Sequence, residues 1–215
     1  MASPAQLASN LFLLVYNLHI NKKVLAHFKK NDPKIYDLLK TADTESWLGS
    51  QENDYFHALC ETIIGQQLSS KAARSIFKKF SNTVTITPDE ILNTADTTLR
   101  NTGISWAKVK YVKDLALKTK NGELNLEKIE TSTEDEIILE LTKVKGIGKW
   151  TAEMFLMFVL KREDVFSFGD LGLRKGFEKV YQVKNPTEQK IKSSIKKWEP
   201  YKTYGSIALW HSLEN

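Results

Sequence analysis

Cysteine is almost absent. Cys60 stands alone in 215 residues, which excludes an internal disulfide framework and any cysteine-ligated zinc or iron–sulfur centre. Long apolar runs are missing too. The most apolar stretch near the start, Leu11 to Val15, ends at Tyr16 and Asn17, far short of a membrane span. Met1 to Gln6 carries no basic side chain, so the pattern of a secretory leader is not met. The expectation is an intracellular protein, cytoplasmic in a prokaryote or nuclear in a eukaryote, with no membrane partner. Strand-like sequence is equally scarce, since Val84 to Ile86 is too short to need a sheet. No internal repeat or low-complexity linker breaks the chain.

What is present is helical. Phe56, Leu59, Cys60, Ile63 and Ile64 form an amphipathic stripe, and Ala72, Ala73, Ile76, Phe77 and Phe80 form a second. Between them Gly65 to Ser70 offers a glycine and two serine caps, which predicts a break. Thr87-Pro88-Asp89-Glu90 and Thr133-Glu134-Asp135-Glu136 are capping-box patterns. Gly103 stops a short helix, and Ser105 caps the next through Val109, Val112, Leu115 and Ala116. Thr187 opens another helix, and a last one runs from about Tyr201 to Leu213. Leu11 to Leu18 and Val24 to Phe28 read as helices that pack onto the core. The fold class is all-α, with two helical lobes and a cleft between them. One lobe is expected at about 50–130, and the other at 131–215 joined by the N-terminal helices of 1–45.

Charge is unevenly spread. Lys143 to Asn215 holds 14 Lys and Arg against 8 Asp and Glu, a net +6 of the chain's +5, which leaves −1 on the other 142 residues. A basic C-terminal third suits a polyanionic partner, although a solvated lysine-rich surface gives the same count.

The densest signal is the run from Leu141 to Met154. A periodic helix (Ile137, Ile138, Leu141) ends at Gly146-Ile147-Gly148, and a second helix starts at once. Two glycines let the backbone bend tightly and approach another surface. The new helix offers N–H groups and the positive end of its dipole to a phosphate oxygen, with Lys145 and Lys149 on either side. A plain helix–turn–helix would use the same glycines.

Val144 to Ala152 resembles the hairpin of the helix-hairpin-helix (HhH-GPD) DNA glycosylase superfamily. Gly169-Asp170-Leu171-Gly172-Leu173-Arg174-Lys175-Gly176 resembles the segment carrying that family's essential aspartate, and Asp170 lies 22 residues after Gly148, the family's usual separation. Ile64-Gly65-Gln66-Gln67-Leu68-Ser69 resembles its minor-groove wedge loop. Together these segments span residues from about 56 to 212.

The resemblance implies a catalytic Asp170. Read locally, an aspartate at a helix start is an N-cap; within the family it stands beside C1′ of an extruded nucleotide. There an anion stabilises the positive charge gathering on the sugar as the base leaves, or directs the attacking water. DNA contacts are implied at Lys145, Gly146, Ile147, Gly148, Lys149 and Thr151. The wedge falls on Gln67, with Leu68 next, against the plainer reading of Gln67 as a loop residue. Bifunctional members carry a nucleophilic lysine where this chain has Trp150, so base excision without strand cleavage is implied. The lone cysteine excludes the iron–sulfur branch. Trp150 and Trp210 match aromatic positions of the 3-methyladenine DNA glycosylase II branch. Either can also be ordinary core packing, while Met154 lies one turn beyond Trp150 toward the same pocket.

Met154 and Leu171 both depart from that branch, where aromatic residues occur. Nothing in residues 1 to 50 resembles its extra β-rich domain, so a compact form is expected. No cofactor is required, but the main-chain carbonyls of Thr142, Val144 and Ile147 suit a structural Na+ or K+. The expected partner is double-stranded DNA containing damaged bases, bound by a monomer. Two alternatives stay open: a non-catalytic DNA-damage-binding module, and a glycosylase for deaminated or oxidised bases.

Overall fold

The computed structural model describes residues 22–42 and 54–214. The helix expected at Leu11 to Leu18 and the segment Met1 to Gln6, read as no secretory leader, lie outside that range. Twelve α-helices and one 3-10 turn, with no strand, occupy the described residues. Val84 and Ile86 are buried without pairing into a sheet. No helix among the described residues is long and apolar enough to cross a membrane.

The helices are α1 Lys22–Asn31, α2 Pro33–Thr41, α3 Tyr55–Gly65, α4 Ser70–Thr83, α5 Pro88–Asn93, α6 Asp96–Asn101 and α7 Trp106–Lys120. After them come α8 Glu134–Leu141, α9 Lys149–Phe158, α10 Leu171–Tyr181, α11 Glu188–Ile195 and α12 Lys202–His211, with the 3-10 turn Lys196–Trp198 between the last two. Their starts follow local side-chain chemistry. Ser69, Thr87, Ser105, Thr133, Asp170 and Thr187 each accept a backbone N–H from the first turn of the helix that follows, which satisfies donors a helix cannot bond internally. At Thr133 the box closes in both directions, because Glu136 Oε2 accepts the Thr133 N–H at 2.8 Å.

The chain divides into two compact units, Glu52–Leu160 and the pair Met1–Gln51 with Lys161–Asn215. The first unit buries the α3 stripe completely: Leu59, Cys60, Ile63 and Ile64 each show 0% exposure. Helix α3 packs on α4, α7 and α9, while α5 and α6 lie along α7. In the second unit α12 packs on α10 and α2, and α1 on α2 and the 3-10 turn. Its centre holds Trp198 at 0% exposure and Asp32 at 2%. Asp32 Oδ2 accepts from Trp198 Nε1 at 2.8 Å and from the Tyr181 hydroxyl, and pairs with Lys197 Nζ at 3.1 Å. A buried carboxylate is tolerated because it is paired and hydrogen-bonded on several sides.

The boundary expected near 130 is thereby corrected to 160, and the hairpin leaves the Asp170 segment for the first unit. Long-range bonds explain the change. The Lys145 backbone N–H donates to Asp114 Oδ2 of α7 at 2.8 Å, and Gln66 Nε2 donates to Gly146 O at 2.9 Å.

Candidate active site

In the second unit, Val165, Phe166 and Ser167 run buried into a bend before α10. Asp170 closes that bend as the N-cap of α10, with φ −79° and ψ 118°. Its Oδ1 accepts the Leu173 N–H at 2.7 Å and the Trp210 indole Nε1–H at 3.1 Å. Asp170 is 5% exposed and Trp210 9%. The N-cap reading of Asp170 is therefore right as far as it goes. The same carboxylate also meets a tryptophan forty residues further along the chain, which a cap alone does not require.

Two glycines one helical turn apart bring that tryptophan close. A Cβ on Gly176 would stand 2.5 Å from Leu209 O and 2.9 Å from Leu209 C. The backbones of α10 and α12 are thus near contact there, and neither can yield. A Cβ on Gly172 would stand 3.0 Å from both Asp170 Oδ1 and Trp210 Nε1. Small residues at i and i+4 share one face of a helix, and this face seats Trp210 against the carboxylate. Leu171, between Asp170 and Gly172, points outward at 41% exposure.

In the first unit the hairpin is closed by main-chain bonds from Val144 N–H to Leu141 O and from Ile147 N–H to Val144 O, both 3.1 Å. Gly146 has φ +85°, and a Cβ there would lie 2.3 Å from Tyr111 Cδ2. Gly148 is different: it is the N-cap of α9 at φ −93° and ψ 174°, with no side-chain cap, and open space where a Cβ would go. Gly148 thus brings no side chain of its own to the start of α9, where the N–H groups and the positive end of the dipole favour an anion.

The other expected DNA contacts divide by side chain. Lys145 and Lys149 are 74% and 72% exposed along their side chains, with Lys145 Nζ 3.5 Å from Asp114 Oδ1 and Lys149 Nζ 3.8 Å from Glu153 Oε1. The Lys149 ammonium thus lies along its own helix toward i+4. Ile147 is 4% exposed and Thr151 6%. Thr151 Oγ1 lies 3.4 Å from Gln66 Nε2, its donor. Packing thus turns the Ile147 side chain inward, and the Thr151 hydroxyl accepts from Gln66. Trp150, in the first turn of α9, is half-buried, and Met154, four residues on, is 2% exposed.

In the loop between α3 and α4, Gln67 is exposed, with a left-handed φ of +59°, and Leu68 is half-buried. Sequence reasoning passed over Gln66, Tyr111 and Asp114, which hold hairpin and loop together, as well as Gly172 and Gly176. Their partners stand 31 to 80 residues away for Asp114 and Gln66, and no local pattern marks such pairs.

Among the described residues no group of three or more His, Cys, Asp or Glu is placed to hold a metal. The hairpin carbonyls of Thr142, Val144 and Ile147 are a different donor set. They are neutral oxygens: Thr142 and Val144 follow the C-terminal, electronegative end of α8, and Ile147 directly precedes the N-cap of α9. The Val144 carbonyl keeps a second lone pair beyond the one that accepts from Ile147. Neutral carbonyl oxygens are the donor chemistry that a monovalent cation takes, and its binding here belongs to the proposed function.

Residues 60–200 match the HhH-GPD superfamily base excision DNA repair protein family. The chain is 33% identical over 166 residues to DNA-3-methyladenine glycosylase 1 of Schizosaccharomyces pombe, covering 74% of this chain and 73% of that protein. A solved S. pombe 3-methyladenine DNA glycosylase in complex with abasic DNA superposes with a TM-score of 0.71 at 29% identity, over 88% of this chain and 95% of that one. The crystal structure of a DNA-3-methyladenine glycosidase from Bacillus halodurans gives 0.75 at 30% identity, over 91% of each chain. The chain belongs to the HhH-GPD superfamily of base excision DNA repair proteins.

Proposed function

We propose that this protein hydrolyses the N-glycosidic bond of alkylated bases such as 3-methyladenine and 7-methylguanine in double-stranded DNA, without cleaving the strand. The observation that carries the reading is Asp170: a 5% exposed carboxylate at a helix start, with an indole N–H fixed on Oδ1. Breaking the bond to C1′ leaves positive charge on the sugar, and an anion in a water-poor site stabilises that charge more in the transition state than in the substrate. Bases methylated on a ring nitrogen are cationic, so they bind electron-rich aromatic faces and leave readily. Trp150 and Trp210 are the aromatic groups assigned to the base, with Met154 beside Trp150.

The α9 amides, Lys145 and Lys149 hold the strand backbone, and Gln67 with Leu68 enters the gap left by the flipped nucleotide, where unstacking costs a few kcal/mol. A Na+ or K+ on the Thr142, Val144 and Ile147 carbonyls would add positive charge beside a phosphate, and no chemical step depends on it.

Incubation with methylated duplex DNA should release free 3-methyladenine or 7-methylguanine, detected chromatographically. Borohydride added to the abasic product should trap no covalent complex, because Trp150 supplies no amine for a Schiff base. Absence of base release would refute the glycosylase, and a trapped adduct would refute the hydrolytic, strand-sparing mechanism.

Trp210→Phe keeps most of the ring's packing and removes the Nε1–H bond to Asp170. A hydrogen bond to a charged group contributes about 1.5–3 kcal/mol, so single-turnover release should slow by about tenfold or more. Melting should shift by only a few degrees, and an unchanged rate would remove the indole from the positioning of Asp170.

A further inference from the structure

Helix α3 ends at Gly65 and α4 begins at Ser70, so four residues must turn the chain and leave helical carbonyls to be satisfied. The satisfying group comes from α7. Lys108 Nζ donates to Ile64 O at 2.7 Å and to Gln66 O at 2.6 Å. One ammonium thus grips the last turn of α3 and the peptide that leads directly into Gln67. The Gln66 side chain holds the loop from another side through Gly146 O at 2.9 Å. Between these anchors Gln67 stands exposed at φ +59°. A left-handed backbone is strained for a residue with a Cβ, and such a conformation persists only where the surroundings determine it. Glycine would relieve the strain at once, so the bend is held with a side chain on it.

We propose that Lys108 is a positioning residue for base extrusion: by fixing the carbonyls on either side of Gly65 it holds Gln67 in the bend that projects into the duplex, and so sets the preference for abasic over intact DNA. The inference rests on the reading of Gln67 as the wedge. Lys108 acts through Gln67 and needs no contact with DNA of its own. Burial pushes its pKa down to about 8, so the ammonium keeps its charge at neutral pH and bears a desolvation cost that an apolar side chain would avoid.

The test is a double-mutant cycle read as a ratio of affinities. Dissociation constants are measured for one duplex carrying a tetrahydrofuran abasic site and for the same duplex intact. The proteins are wild type, Gln67→Ala, Lys108→Met and the double variant. Each single substitution should lower the abasic-over-intact ratio by about fivefold to tenfold, while affinity for intact duplex stays within about twofold. The double variant should lose no more than Gln67→Ala alone, the signature of two groups acting as one unit. A Lys108→Met protein with the wild-type ratio overturns the proposal, as does a double variant whose loss is the product of the single losses.

Should Lys108→Met melt below the assay temperature, Lys108→Gln carries the same test, because its amide keeps a donor for one carbonyl. A reduced ratio supports the role and a wild-type ratio overturns it. If Gln67→Ala keeps the wild-type ratio, the wedge reading itself fails and Lys108 falls with it. Base release by wild-type protein is measured independently of this ratio, so failure here is distinct from failure of the glycosylase reading.

Discussion

Asp170→Asn should reduce release of alkylated bases by about a thousandfold and leave the fold and DNA affinity close to wild type. Asparagine has the shape of aspartate and is an equally good N-cap. Its Oδ1 can still accept the Leu173 N–H and the Trp210 indole N–H, now 2.7 and 3.1 Å from the carboxylate. What disappears is the charge. Within a water-poor site, removing one electrostatic stabiliser of the transition state costs about 3–4 kcal/mol, and the substrate, whose sugar is neutral, loses much less. The effect should therefore fall on the chemical step, visible as slower single-turnover release with an unchanged dissociation constant for abasic duplex. Equal release from both proteins would remove Asp170 from the mechanism. A non-catalytic DNA-binding module, by contrast, predicts no release from wild type.

Local codes in this chain are legible because the groups that satisfy them lie within four residues. The caps at Ser69, Ser105, Thr133 and Thr187 close on the helices their sequence announces. The helical stripe at Phe56 to Ile64 is buried as its spacing requires. The hairpin turn and the cap at Asp170 are local in the same sense. Tertiary pairing is not. Nothing near Asp170 tells that its carboxylate will meet Trp210, because that contact depends on how closely α10 and α12 approach at Gly176 and Leu209.

The same gap explains the misplaced boundary at 130. Helical period states which face of α9 is apolar, but not that α3 will cover it. Thr151 shows the cost at the level of one side chain. Its hydroxyl sits in the first turn of α9 and accepts from Gln66, 85 residues away in the chain, a partner that no local pattern names.

The hairpin glycines should separate stability from binding, and the contrast tests whether DNA meets the chain where its backbone lies open. Gly146→Ala puts a Cβ on a left-handed residue and drives it to 2.3 Å from Cδ2 and 2.5 Å from Cγ of Tyr111. Contact near the root of the ring means that the whole side chain must shift, not a flexible tip. Backbone strain and overpacking together should cost about 2–4 kcal/mol, which lowers the melting temperature by roughly 5–15 °C in a chain of this size. Gly148→Ala meets neither obstacle, because its φ of −93° suits any residue and nothing lies within 4 Å of the new methyl group. Its melting temperature should stay within about 3 °C of wild type. The methyl group would nonetheless stand at the start of α9, where the proposed phosphate contact brings the strand close to the amides. Duplex affinity at fixed salt should then fall about tenfold or more, because charge-assisted N–H bonds weaken steeply with distance. Wild-type affinity in Gly148→Ala would show that the strand docks elsewhere, and with that the open face of the hairpin would lose its role.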